Sequence, residues 1–145
     1  MMDDDLKRSI LISHYEKPHN YGLIEDSHYK NLHMSSSSCI DDLTIQVAIE
    51  GNIVKDVRFA GYGCTISKAS TSILSDLIKG KTRQEALHIL QEYKAMLQEK
   101  SFDEDTLEEA NAFDTLYRQP NRIHCGSIGM EAMETLIKES LVNDK

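Results

Sequence analysis

Three cysteines, Cys39, Cys64 and Cys125, are the only thiols in the chain. Cys39 opens Cys39-Ile40-Asp41 just before a strand-like run. Cys64 ends the turn Gly61-Tyr62-Gly63 where a helical pattern begins, and Cys125 follows His124 at the expected start of another. Three thiols with the Asp41 carboxylate can make a four-coordinate site, assembled by the fold rather than by a local finger. The thiolate is both the metal ligand and the sulfur nucleophile. Three thiolates and one carboxylate suit tetrahedral Zn²⁺, and thiolates are equally the usual ligands of iron–sulfur clusters. Aspartate oxygen is a harder donor than sulfur, so the site should be more labile than an all-cysteine one. A thiol at a helix N-terminus is easier to ionise, because free N–H groups and the helix dipole favour an anion.

Each of these residues also has a plainer reading. A single free cysteine is most often a small buried hydrophobe, but all three here sit beside turns or helix starts. Asp41 alone reads as a loop or cap residue. His124 reads as a fourth ligand, a proton donor or a surface histidine, and the sequence leaves the three open. A His124–Cys125 protease-type pair is disfavoured, since neighbours at a helix start diverge in direction. His14, His19, His28, His33 and His88 show no ligand spacing. No GxxxxGK[ST] loop or dinucleotide fingerprint is present, which counts against an ATPase or a nicotinamide enzyme.

These side chains must be positioned by strands first and helices after. Leu6, Ile10 and Leu11 recur at helical spacing, and Pro18-His19-Asn20-Tyr21-Gly22 then reads as a loop. Leu43, Ile45, Val47 and Ile49 alternate with Thr44, Gln46 and Ala48, which predicts a strand with one buried face. Gly51-Asn52 signals a hairpin turn, with Ile53, Val57 and Phe59 continuing the apolar face on the return strand. A weaker strand runs around Tyr29 to Met34, ahead of the serine loop Ser35 to Ser38. After Cys64, residues Ala69, Ile73, Leu74, Leu77 and Ile78 mark a helix stopped by Gly80. Thr82 and Glu85 form a capping box opening a helix with Ala86, Leu87, Leu90, Tyr93 and Leu97 inward. A further helix is expected from about Glu104 to Tyr117, ended by Pro120, with Leu107, Ala110 and Leu116 in the core. The last starts near Cys125 and turns Ile128, Ala132, Met133, Leu136 and Ile137 inward. The expectation is an α+β fold over 1–145 as one domain, a small three-stranded antiparallel sheet packed against several helices.

Composition narrows the function classes. The 145 residues are 40% hydrophobic and 28% charged, enough for one core without disulfide staples. No membrane span is expected, and the start Met1-Met2-Asp3-Asp4-Asp5 is acidic where a secretory leader is basic. An odd cysteine count then points to thiols in a reducing cytoplasm. The formal net charge of −8, with scattered basic residues, disfavours nucleic-acid binding. The acidic run Asp103-Glu104-Asp105 with Glu108-Glu109 reads as a solvated face, or as a docking surface for a basic partner.

The motifs resemble those of the iron–sulfur assembly family that includes IscU, SufU and the N-terminal domain of NifU. Pro18 to Gly22 is similar to its PxNxG segment and Cys39-Ile40-Asp41 to its CGD motif. Gly61 to Ser67 is similar to GxGCxIS, and Arg122-Ile123-His124-Cys125 to its last cysteine motif. The resemblance runs from about Ile10 to Ile137 and implies a SufE/NifU-like fold. It makes Cys39, Asp41, Cys64 and Cys125 the ligand set, with Arg122 placed to meet a partner or serving as an ordinary surface arginine. Three departures stand out. Ile40 replaces the family glycine, and the stretch from Gln98 to Arg122 looks like a SufU-type insertion. Arg118-Gln119-Pro120-Asn121-Arg122 stands where IscU carries its LPPVK-like segment. Ile123-His124-Cys125 is IscU-like, yet the balance lies toward SufU.

The resemblance implies sulfur received as a persulfide from a cysteine desulfurase, a pyridoxal-phosphate enzyme. In one reading the chain is a scaffold that holds iron, builds a 2Fe–2S cluster and passes it to apo-acceptor proteins or a downstream scaffold. In the other it is a zinc-dependent sulfurtransferase, in which Zn²⁺ organises the thiols and Cys39 accepts the persulfide sulfur once freed at docking. A non-catalytic, zinc-stabilised interaction module is the alternative from another class.

Overall fold

The computed structural model describes residues 2–35 and 41–143. Among them the chain runs α1 (Asp4–Glu16), β1 (Tyr29–Ser35), β2 (Asp42–Glu50), β3 (Ile53–Tyr62), α2 (Thr65–Ile78), α3 (Arg83–Leu97), α4 (Glu104–Leu107) and α5 (Pro120–Asn143), with 3₁₀ turns at Glu108–Phe113 and Leu116–Arg118. The strands form one antiparallel sheet in the order β1-β2-β3. This is the α+β architecture expected from the sequence, including the weak first strand.

Alternation dictates the sheet. Leu43, Ile45 and Val47 of β2 and Val57 and Phe59 of β3 turn to the helices and are fully buried. The pairing shifts between Ala48 and Ile49, so Ile49 faces Val54 and Glu50 faces Ile53. That bulge turns Val54 inward and leaves Ile53, expected on the buried face, 39% exposed. The second face of β2 is covered too. Gln46 is buried and exchanges hydrogen bonds with the backbone of Ile24, donating to its carbonyl at 2.9 Å and accepting from its N–H at 2.8 Å. The loop between α1 and β1 is tied to β3 as well: Gly22 N donates to Phe59 O, and Phe59 N to Asn20 O.

α2 lies between α1 and α5 and is buried along most of its length. Small hydroxyl residues make that burial possible, because several of them return their proton to the helix backbone. Ser70 and Thr71 donate to Ser67 O, and Ser75 to Ser72 O. At the crossing with α5, a Cβ on Gly129 would lie 2.2 Å from Thr71 Oγ1 and 3.0 Å from Thr71 Cβ. Only a glycine lets the two backbones approach this closely.

Two helix expectations are corrected. The helix expected from Glu104 to Tyr117 is one α-turn followed by two 3₁₀ turns. Glu108 adopts φ 46°, and the Asn111 side-chain amide donates to the carbonyls of Glu104 and Glu108, both at 2.8 Å. It thereby takes the Glu104 carbonyl that an unbroken helix would give to Glu108 N–H. Leu107, Ala110 and Leu116 are still buried. Pro120, expected to end that helix, instead opens α5, where its fixed φ and missing N–H cost nothing. The last helix therefore starts five residues before Cys125, which is the sixth residue of α5 and not at its N-terminus.

Gly129→Ala should lower stability by about 1–3 kcal/mol through overpacking against Thr71. Thermal unfolding should show a reduced Tm, partly restored when Thr71→Ala is added. An unchanged Tm in the single variant would mean that the crossing relaxes freely.

Candidate metal centre

The corner between β3 and α2 begins at Gly61, whose φ is 127° and where a Cβ would lie 2.1 Å from Asp42 O. No side chain fits there, so β3 can hug the start of β2 and set the following residues against Asp41. Cys64 is the N-cap of α2, with extended backbone, and makes no side-chain cap of its own. The cap comes from the residue just before β2. Asp41 Oδ1 accepts from Cys64 N at 3.1 Å and from Ser67 Oγ at 2.7 Å. A carboxylate at a helix N-terminus satisfies orphan donors and meets the positive end of the dipole. Asp41 is only 2% exposed.

The third segment is α5. Cys125 is buried, and the turn that carries it is pinned by the Tyr93 hydroxyl, which donates to Gly126 O at 2.6 Å. Burial pushes the Tyr93 phenol well above its ordinary range, so it remains a donor. A carboxylate oxygen of Asp41 and the sulfurs of Cys64 and Cys125 all lie within 4.8 Å of one another. Ligands of a tetrahedral zinc with bonds of about 2.3 Å sit roughly 3.8 Å apart, so a small contraction would seat the ion. Two sulfurs and one oxygen fit the borderline-soft Zn²⁺ or thiolate-bound iron, and three ligands leave a fourth vertex.

The structure thus brings together three of the four sequence-derived candidates. Cys39 and Ile40 lie outside the described residues. His124 and Arg122 are exposed on α5, and His124 is not among the converging donors. Of the two thiols expected at helix N-termini, Cys64 is there; Cys125 is not, since α5 begins five residues before it.

Sequence reasoning passed over Ser67, whose hydroxyl also lies 3.5 Å from Cys64 Sγ. Its position three residues after an N-cap that lacks its own capping oxygen was the available signal. His14 was dismissed as well, although it is buried one turn after Ile10. It pairs with Ser72 Oγ at 2.7 Å through Nδ1 and with Glu109 at 3.1 Å through Nε2, which seats α1 on α2.

Ser67→Ala removes one of the described donors on Asp41 Oδ1. Loss of such an outer partner should weaken zinc affinity roughly 10–100-fold, read by competition with a chromophoric chelator, with the fold retained by circular dichroism. Unchanged affinity would show that Ser67 serves the helix cap alone.

Residues 7–141 match the family model described as the NifU-like N terminal domain. A protein named zinc-dependent sulfurtransferase SufU from Bacillus subtilis is 33% identical over 132 residues, covering 90% of this chain and 88% of that one. A protein named iron–sulfur cluster assembly scaffold protein IscU from Streptococcus pyogenes is 29% identical over 136 residues, covering 93% and 84%. The crystal structure of a candidate iron–sulfur cluster assembly scaffold for the SUF system from Fervidobacterium islandicum superposes with a TM-score of 0.79 at 32% identity, covering 87% of this chain and 92% of that one. With the fold, the three converging donors and these likenesses together, the chain belongs to the NifU-like N-terminal domain family.

Proposed function

We propose that this protein acts in iron–sulfur cluster assembly as a zinc-dependent sulfur relay. It takes persulfide sulfur from a cysteine desulfurase, in the cytoplasm, and hands it on toward cluster-building acceptors. The observation that carries the reading is the convergence of Asp41, Cys64 and Cys125 from three separate segments, on a chain similar to a zinc-dependent sulfurtransferase. Cys39 completes the donor set and is the sulfur acceptor, and Arg122, exposed one helical turn before Cys125, meets the desulfurase.

Bound Zn²⁺ supplies Lewis acidity that keeps its ligand thiols ionised. Everything else falls to the chain's own groups. Asp41 is held by Cys64 N and Ser67 Oγ whether or not it also binds a cation. The hydrophobic core, from Leu43 and Phe59 to Ile128 and Ile137, is built from the sheet and the helices, and of the described donors only Cys125 is among its buried apolar residues. The cap and the core therefore keep α2 in place when the metal leaves, as a relay with an exchangeable ion requires. An interaction module folded by zinc would instead unfold.

The scaffold reading is favoured by the similarity to IscU and by His124 directly before Cys125. There the cluster is cargo: the same donors hold iron, accept sulfur and release a finished 2Fe–2S unit to apo-acceptors.

Anaerobic desulfurase assays separate the readings. The zinc-loaded protein should strongly stimulate alanine and sulfide production, and Cys39→Ser should abolish the effect. Weak stimulation with iron- and sulfide-dependent cluster formation on the chain would make it a scaffold instead. Chelation should leave the far-ultraviolet circular dichroism unchanged; its collapse would favour the zinc-folded module. Asp41→Ala should accelerate metal loss, and unaltered retention would remove Asp41 from the coordination sphere.

A further inference from the structure

Lys68 lies one helical turn after Cys64 on α2, and its backbone N–H donates to Cys64 O at 3.0 Å. Its side chain passes over Gly63. A Cβ built on that glycine would meet Lys68 Cγ at 3.3 Å and Asp41 Oδ1 at 3.4 Å, so the lysine stem and the buried carboxylate flank the same point beside Cys64. The ammonium sits over two aromatic faces, 5.2 Å from the ring centres of both Tyr15 and Tyr21. Tyr21 is fixed in turn, donating from its hydroxyl to Gly61 O at 3.0 Å and packing edge-on against Phe59. Among the described residues no carboxylate pairs with Lys68. Its charge is held by π-faces, which locate a cation without neutralising it.

That placement meets a specific electrostatic problem. Of the converging donors, Asp41 and Cys125 are buried and Cys64 is half-buried, so Cys64 marks the described side from which the site can be reached. The site gathers a carboxylate and thiolates on a chain of net charge −8. A persulfide at neutral pH is itself an anion. For sulfur to pass, a site thiolate bonds to the donor's outer sulfur while the donor's S–S bond breaks. The electron pair leaves on the donor thiolate, which takes a proton from water. The sulfur carries its oxidation level with it, so no external oxidant is needed. Two anionic sulfurs must nevertheless come into contact.

We propose that Lys68, displayed between Tyr15 and Tyr21, is a specificity-determining residue that draws the anionic sulfur donor to the Cys64 side of the site. The inference rests on the sulfur-relay reading. It assigns the lysine to the approach of the sulfur anion rather than to metal binding or to the fold.

The test is single-turnover sulfur uptake by the zinc-loaded protein, read by mass spectrometry, with two donors: glutathione persulfide and the persulfidated desulfurase. Lys68→Met keeps the stem but removes the charge, and should slow uptake from both donors on the order of ten-fold. Lys68→Glu should slow it further, and Lys68→Arg should retain most of the rate. Added salt should slow the unmodified protein relative to Lys68→Met, narrowing the gap between them. Equal rates across the variants would overturn the inference and leave the relay standing. So would a loss confined to the protein donor, which would make Lys68 a docking contact, or a salt-independent loss that tracks Tm, which would make it a structural clasp. No uptake by the unmodified protein from either donor would sink the relay reading and this inference together.

Discussion

The two hydrogen bonds accepted by Asp41 Oδ1 are the constraint on which the site depends. They join the start of one strand to the start of a helix that follows the next strand. That closes a loop of chain in which Cys64 has little freedom. Net hydrogen bonds contribute only about 1 kcal/mol each, but here the acceptor is a buried carboxylate oxygen, and leaving it unmatched would cost considerably more. The backbone is shaped to allow the contact. Gly61 lets β3 pass against the Asp42 carbonyl where no other residue could, and the hydroxyl-rich α2 lets its neighbours close in around it.

The carboxylate consequently has two tasks. As a helix cap it wants N–H and O–H donors. As a metal ligand it wants a cation. Both favour the ionised form, and a carboxylate offers about four lone-pair positions, so the tasks reinforce each other. The cap also sets the direction from which an oxygen donor faces Cys64 and Cys125. This gives physical content to the lability expected of a mixed sulfur and oxygen site. The oxygen is already engaged by the protein, and its bond to a metal is one interaction among several.

Much of this was legible in the sequence because it depends on local period and on residue chemistry. The buried Leu43, Ile45 and Val47 face of β2, the capping box at Thr82 and Glu85, and the stop at Gly80 all appear in the structure, although β2 is covered on its Gln46 and Ala48 face as well. The failures share a cause. The bulge that swaps Ile53 for Val54 depends on strand pairing, and the break at Glu108 on a side chain competing for backbone carbonyls. Neither leaves a mark in hydrophobic spacing. Pro120 was read as a terminator although proline serves both as a stop and as a first helical residue, and only the surrounding fold selects between them. At the site, the identities of Asp41, Cys64 and Cys125 could be read from residue type. The supporting role of Ser67 showed only as a position three residues past a cap without its own oxygen, because the carboxylate it serves lies twenty-six positions away in sequence.

The ties between the first helix and the interrupted segment after α4 have a further consequence. Lys7 Nζ lies 2.6 Å from Asp114 Oδ1, an ion pair whose angle falls short of hydrogen-bond geometry. His14, already paired to Ser72, reaches Glu109. α1 buries only Ile10 and His14 of its own length, and the 3₁₀ turns lack the regular hydrogen-bond ladder of the longer helices. The segment after α4 is anchored besides by Leu107, Ala110, Phe113 and Leu116 in the core, whereas α1 relies largely on polar contacts that water can replace. α1 is therefore the element that opens first, below the free energy of global unfolding, and its amides should exchange ahead of those of the segment it rests on.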